Sequence, residues 1–125
     1  MVINLLKVLL FVWISTLLAC SPGQEEYGLE KNTLVIRDNV SIRALEGNPQ
    51  KLVDFFQNQL TVKVITSDGN WTKNIYLPSA GIIDGKRFQL KVMSTYAVNL
   101  HYNKNVVTFG KGSRFGTVFQ AGSWR

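Results

Sequence analysis

One cysteine and one histidine occur among the 125 residues, and this scarcity removes several classes of function. A lone cysteine cannot form an intrachain disulfide framework, and the two residues supply too few ligands for a zinc cluster of Cys and His. A serine–histidine–acid triad would have to use His101, and no nucleophile elbow is present. Alternation places His101 opposite to Leu100 and Tyr102, as an exposed strand histidine. Gly110-Lys111-Gly112-Ser113 lacks the upstream glycine spacing of a phosphate loop. Asp38, Asp68 and Asp84 stand at turns, which accounts for them without a glycosidase pair. Heptads, low-complexity tracts and internal repeats are absent as well. The sequence therefore implies no catalytic residue, no metal site and no cofactor, and the expectation is a protein that is not an enzyme.

Acidic residues are missing from the last third of the chain. Cys20–Asp84 carries six basic and eight acidic residues, whereas Gly85–Arg125 carries seven basic and none acidic, so the net charge moves from −2 to +7. A concentration of one sign favours an anionic partner: lipid headgroups, an acidic glycan or an acidic protein face. A solvated basic face without a partner is the competing reading. Nucleic acid is not expected, because an export segment precedes the domain and no recognition helix or aromatic RNA-binding motif is present. Strand alternation predicts Arg87 and Lys91 on one outward face, with Lys86 and Arg114 contributing and the turn residues Lys104 and Lys111 at its edges.

What is present begins with an apolar segment. Residues 1–19 carry a single charge, Lys7, and the uninterrupted apolar run after it is shorter than the roughly 20 residues of a membrane span. A short basic start, an apolar stretch and small residues at its end describe an export signal. Leu17-Leu18-Ala19-Cys20 resembles the lipobox of bacterial lipoproteins, in which the Cys is acylated with chains such as palmitate and becomes the first mature residue. Cys20 has no intrachain partner for a disulfide, and residues 20–30 read as a polar tether containing Ser21-Pro22-Gly23. The resemblance implies a membrane partner through the lipid anchor. With Ser21 rather than Asp after the Cys, it also implies the outer membrane. An ordinary secretory signal with an incidental Cys and a retained anchor helix are the competing readings.

From about Lys31 to Arg125 the pattern becomes that of one domain of about 100 residues. Thr33–Arg37, Val40–Leu45, Thr61–Thr66, Trp71–Leu77, Arg87–Met93, Tyr96–Tyr102, Val106–Phe109 and Arg114–Gln120 read as β-rich runs separated by turn residues. Ser67-Asp68-Gly69-Asn70 reads as a hairpin loop between its two flanking runs. Asn48-Pro49 reads as the start of one short helix near 49–60, with Leu52, Phe55, Phe56 and Leu60 on a shared face. The fold class predicted is an all-β, small antiparallel β-sandwich of about seven strands.

The aromatics offer a second kind of contact. Tyr96 and Tyr102 are in register with Val98 and Leu100 and are expected in the core. Trp71, after the Ser67–Asn70 loop, and Trp124, beside the C-terminus, are the candidates for an exposed platform on which a sugar ring stacks.

Leu77-Pro78, Asp84-Gly85-Lys86, the alternating strand that follows, Gly110-Lys111-Gly112 and Phe119-Gln120-Ala121-Gly122-Ser123-Trp124 resemble the closing half of small β modules. Such modules occur in phage tail proteins and at the C-termini of secreted mucin-degrading metalloproteases, where they assist binding to glycosylated targets. The resemblance covers residues 77–124 and implies a binding role. The proteases' metal-binding helix is absent from this sequence, so their activity is not implied. The functional expectation is a membrane-anchored lipoprotein whose non-enzymatic β module holds an anionic or glycosylated envelope or host-surface ligand. The alternative is a structural accessory lipoprotein of an envelope assembly, such as a secretion, pilus or tail-like machine, that docks protein to protein.

Overall fold

A computed structural model describes residues 32–125. The proposed signal, Cys20 and the tether lie outside the described residues. Element order is β1 (Thr33–Ile36), α1 (Asn39–Arg43), α2 (Pro49–Phe56), β2 (Thr61–Thr66), β3 (Asn74–Tyr76), β4 (Arg87–Val92), β5 (Val98–Tyr102), β6 (Asn105–Phe109), β7 (Arg114–Gln120) and β8 (Ser123–Trp124). The strands form two sheets, ordered β1-β2-β4-β7-β8 and β3-β5-β6.

The sandwich is the expected architecture, with eight strands where about seven are readable from the sequence. Its pairing differs from the expectation. Strand β2 runs parallel to both β1 and β4, and β3 runs parallel to β5, while β4–β7, β5–β6 and β7–β8 are antiparallel. The cause lies in the connections: β1 reaches β2 through two helices, and the chain crosses to the smaller sheet for β3 before it returns as β4. Crossovers of this kind, and not hairpins, are what parallel neighbours require.

Two local expectations are corrected here. Val40–Leu45 is not a strand: Asn39–Arg43 is helical, and Asp38 caps it by accepting a hydrogen bond from the Ser41 amide at 2.9 Å. Six residues fit either period; the cap selects the helix, which buries Ile42 and Leu45 and leaves Val40 exposed. The Ser67–Asn70 turn does close, with reciprocal backbone bonds of 3.0 and 2.9 Å, yet it joins two sheets instead of two strands of a hairpin. Helix α2 starts as expected, with the Asn48 side chain accepting from the Lys51 amide and Pro49 in the first turn, but it ends at Phe56, so Leu60 lies outside it.

Both sheets and both helices bury side chains into one core. Ile36, Ile42, Leu45, Leu52, Phe56, Val62, Val64, Ile75, Phe88, Leu90, Val92, Val98, Leu100, Phe119 and Trp124 belong to it. Along β4, Phe88, Leu90 and Val92 point inward and Arg87, Gln89 and Lys91 outward, as the period of two demands. That alternation turns the outer face of the larger sheet into a charged surface.

Candidate ligand-binding face

The register places the outward side chains of the larger sheet in rows that cross the strands. Val35, Lys63, Gln89 and Gly116 share one row; Thr33, Thr61, Arg87 and Val118 share the next. Ile65, Lys91 and Arg114 form a third. Arg125 extends the second row, since its amide and carbonyl exchange hydrogen bonds with Val118. Neighbouring rows and strands are about 5–7 Å apart, so Lys63, Arg87, Lys91, Arg114 and Arg125 crowd onto one face. No acidic residue occurs in β1, β2, β4, β7 or β8. Among the described residues, Lys63, Arg87, Lys91 and Arg114 make no ion pair.

Gly116 gives this face its shape. With no side chain between Gln89 and the next strand, it leaves an open depression of about 480 Å³ walled by Lys63, Gln89, Lys91 and Arg114. A Cβ at Gly116 would meet only the Gln89 side chain, at 3.9 Å, so the gap is not forced by packing. Lys91 and Arg114 face each other directly across the antiparallel β4–β7 pair. Like charges in such positions destabilise a sheet by a few tenths of a kcal/mol to about 1 kcal/mol.

The other predicted cations are dispersed. Lys86 turns away from the face and donates to the carbonyls of Phe56 and Gln59, closing the C-terminal end of α2. Lys104 stands in the β5–β6 turn with φ +66°, on the smaller sheet. Lys111 sits in the loop after β6, where its charge helps to hold the Asp68 carboxyl below the usual range; hydrogen bonds from Thr95 are the larger cause. Lys63 and Arg125 were not expected in the site. The signal for Lys63 was its position between Val62 and Val64, but its neighbours depend on parallel pairing that local sequence does not show.

The aromatic platform of two tryptophans is not formed. Trp124 is buried at 3% exposure, its indole nitrogen donating to the Pro78 carbonyl at 2.8 Å and its ring packed on Phe56 and Phe119. It is a core anchor, not an exposed contact. Trp71 is half-buried and lies elsewhere, against Tyr96 at 5.4 Å between ring centroids. Tyr96, expected in the core, is 67% exposed because the strand begins only at Val98. Tyr102 does pack against the core, beside Phe115. His101 is half-buried, stacked on Tyr76 at 4.0 Å with Nε2 3.0 Å from Asn74 Oδ1. No three His, Cys, Asp or Glu residues are grouped as metal ligands among the described residues.

Two sheets with two short helices between β1 and β2, and a cationic outer face on the larger sheet, define a small β-sandwich domain. The family model for the β-sandwich domain of the metalloprotease StcE matches residues 59–125, and the chain belongs to that family. The crystal structure of the enterohemorrhagic E. coli fragment StcE(132-251) is similar at a TM-score of 0.70 and 20% identity, over 75% of this chain and 87% of that one. A structure described as a chaperone–substrate complex is similar at a TM-score of 0.58 and 20% identity, over 74% of this chain. The chain covers only 15% of that larger one. No curated protein is significantly similar to the chain. These likenesses establish the sandwich fold.

Proposed function

We propose that the domain is a non-enzymatic binding module that adsorbs to an anionic surface through the outer face of its larger sheet. The observation that carries this reading is the unpaired, same-sign row of Lys91 and Arg114 beside Lys63, with Arg87 in the next row, around the depression at Gly116. Membership in the β-sandwich family of a metalloprotease supports an accessory role rather than a catalytic one. The chain is held at the membrane by acylation of Cys20, and Ser21 directs it to the outer membrane; both parts rest on the lipobox resemblance. Acidic glycans and lipid headgroups share the chemistry the face recognises, a dense array of negative oxygen atoms.

Individual exposed contacts of this kind contribute on the order of 0–1 kcal/mol and are screened beyond about 8–10 Å at physiological salt. Adsorption therefore depends on several cations together. Reversing Arg87 and Lys91 to Glu in one variant is expected to weaken adsorption to phosphatidylglycerol vesicles, and to an acidic polysaccharide, while the thermal midpoint stays nearly constant. Equal adsorption by wild type and the double variant at low salt would refute the face. Docking to a protein partner is the second reading, favoured by the β6 edge, which pairs with no further strand among the described residues and where Val106 is 57% exposed.

A further inference from the structure

We infer that a second, separate site at Trp71 and Tyr96 binds a neutral pyranose. Tyr96 lies in the β4–β5 connection with two-thirds of its surface in water, an exposure that folding does not require. Its ring stands at 45° to that of Trp71, with centroids 5.4 Å apart, so the two faces form a corner. The electron-rich face of an aromatic ring attracts the weakly positive C–H edge of a sugar; Tyr96 supplies the exposed face, and Trp71, which also packs against the core, borders the same cleft.

The corner is preorganised. The Trp71 indole nitrogen donates to the Ala97 carbonyl at 3.1 Å, which fixes the ring plane. The loop that carries Tyr96 is pinned on both sides. Ser94 bonds the buried Thr66 hydroxyl at 2.8 Å and donates to the Tyr96 carbonyl at 2.8 Å. Asp68 accepts from the Thr95 amide at 2.6 Å and from its hydroxyl at 3.0 Å. A ligand would find the aromatic faces in place and would not have to order them, which lowers the entropic cost of binding.

Polar groups of both kinds line the same cleft of about 470 Å³, which includes Arg43, Asp68, Ser94 and Thr95. Arg43 is exposed, and its Nε donates to Asn39 at 2.9 Å, which orients the guanidinium and leaves its terminal nitrogens without a partner among the described residues. Arg43 and Asp68 do not pair with each other, so one offers donors and the other spare carboxylate lone pairs. Adjacent hydroxyls of a sugar donate and accept together and match that set. Asp68 stands between Arg43 in the cleft and the nearby charge of Lys111, so charges of both signs meet here, in contrast to the all-cationic outer face. This site does not depend on the reading of that face.

The test titrates purified full-length protein with methyl β-galactoside, methyl α-mannoside and chitotriose and follows tryptophan emission. A saccharide-dependent change is expected that is lost in Trp71→Phe if it arises at this indole. Tyr96→Ala is expected to weaken binding about tenfold, and Tyr96→Phe to retain it, since stacking needs the ring and not the hydroxyl. Because Tyr96 is exposed, both variants keep the wild-type thermal midpoint, which separates lost binding from lost fold. Binding is expected to be insensitive to salt and to the Arg87→Glu/Lys91→Glu reversal. No response to any of the three sugars, or equal binding by Tyr96→Ala, would each overturn the inference, as would a response to glucuronic acid, titrated alongside as the charged control, in the absence of any response to the three.

Discussion

Single residues in this domain divide by whether folding needs them. Trp124 is needed: its ring closes the core against Phe56 and Phe119, and its nitrogen satisfies the Pro78 carbonyl. Its backbone is clamped too, with the Trp124 amide donating to Asn103 at 3.1 Å and the Asn103 amide group returning a bond to the Trp124 carbonyl at 2.6 Å. Trp124→Ala is expected to destabilise the domain by about 3–5 kcal/mol, read from the urea midpoint at unchanged slope. Arg114 is the opposite case. Arg114→Gln removes one of two like charges in directly opposed positions of β4 and β7 and is expected to raise stability by up to about 1 kcal/mol, while it weakens vesicle adsorption. A loss of stability in that variant would show that the two cations are not in repulsive contact. Residues that trade stability for charge in this way are candidates for function, and the sequence marks them only as lysines and arginines.

At the scale of elements, the segment around Glu46 ties the two-helix connection to the smaller sheet. The Glu46 carboxylate accepts from the Thr72 hydroxyl, from the Lys73 amide at 3.0 Å and from the Asn74 amide at 2.9 Å. Its second oxygen accepts from the Asn74 side chain at 2.9 Å. Burial raises its pKa, but these hydrogen bonds together outweigh that effect, and the carboxyl is held below its ordinary value of 4.5. Asp38 at the start of α1 and Asp68 at the Thr95 loop are lowered as well, chiefly by the backbone amides they accept from. A lowered carboxyl binds fewer protons folded than unfolded, so its contribution is complete above the unfolded value and is lost as pH falls through the folded one. Chemical denaturation between pH 7 and pH 3 is expected to show stability falling below about pH 4.5, with a shallower fall in Glu46→Gln. An identical acid limb in that variant would remove Glu46 from the account. Hairpin expectations failed at this scale because the turn at Ser67–Asn70 is readable locally, whereas the sheet its exit strand joins is not.

For the whole molecule, two independent devices are proposed: a lipid anchor that sets location and a cationic face that sets the partner. They separate experimentally. Cys20→Ala is expected to abolish incorporation of labelled palmitate and to release the domain from the membrane fraction or leave an unprocessed precursor. Purified Cys20→Ala protein, which carries no acyl chain, should still adsorb to anionic vesicles, and lose that adsorption as salt rises, if the face acts by itself. Continued acyl labelling of the variant would refute the lipobox reading. Acyl chains contribute about 0.8 kcal/mol per buried CH₂, far more in sum than a few screened cations, so under this proposal the anchor would govern retention and the face would govern orientation and choice of ligand.

Readable from the residues alone were the sandwich class, the inward and outward sides of β4, the cap and start of α2 and the charge imbalance of the last third. Each of these depends on neighbours within a few residues: alternation with period two, an Asn-Pro start, the sign of charge along a stretch. Only the tertiary structure decided that β2 lies parallel to β4, which brings Lys63 beside Gln89 and completes the face. It also decided that Lys86 serves a helix end, that Trp124 is core and that Tyr96 is surface. The parallel pairing, the Lys86 bonds and the Trp124 core contact with Phe56 each join segments far apart in the chain. Burial and strand pairing are properties of the assembled layers, and a local pattern of apolar and polar residues is compatible with more than one assembly.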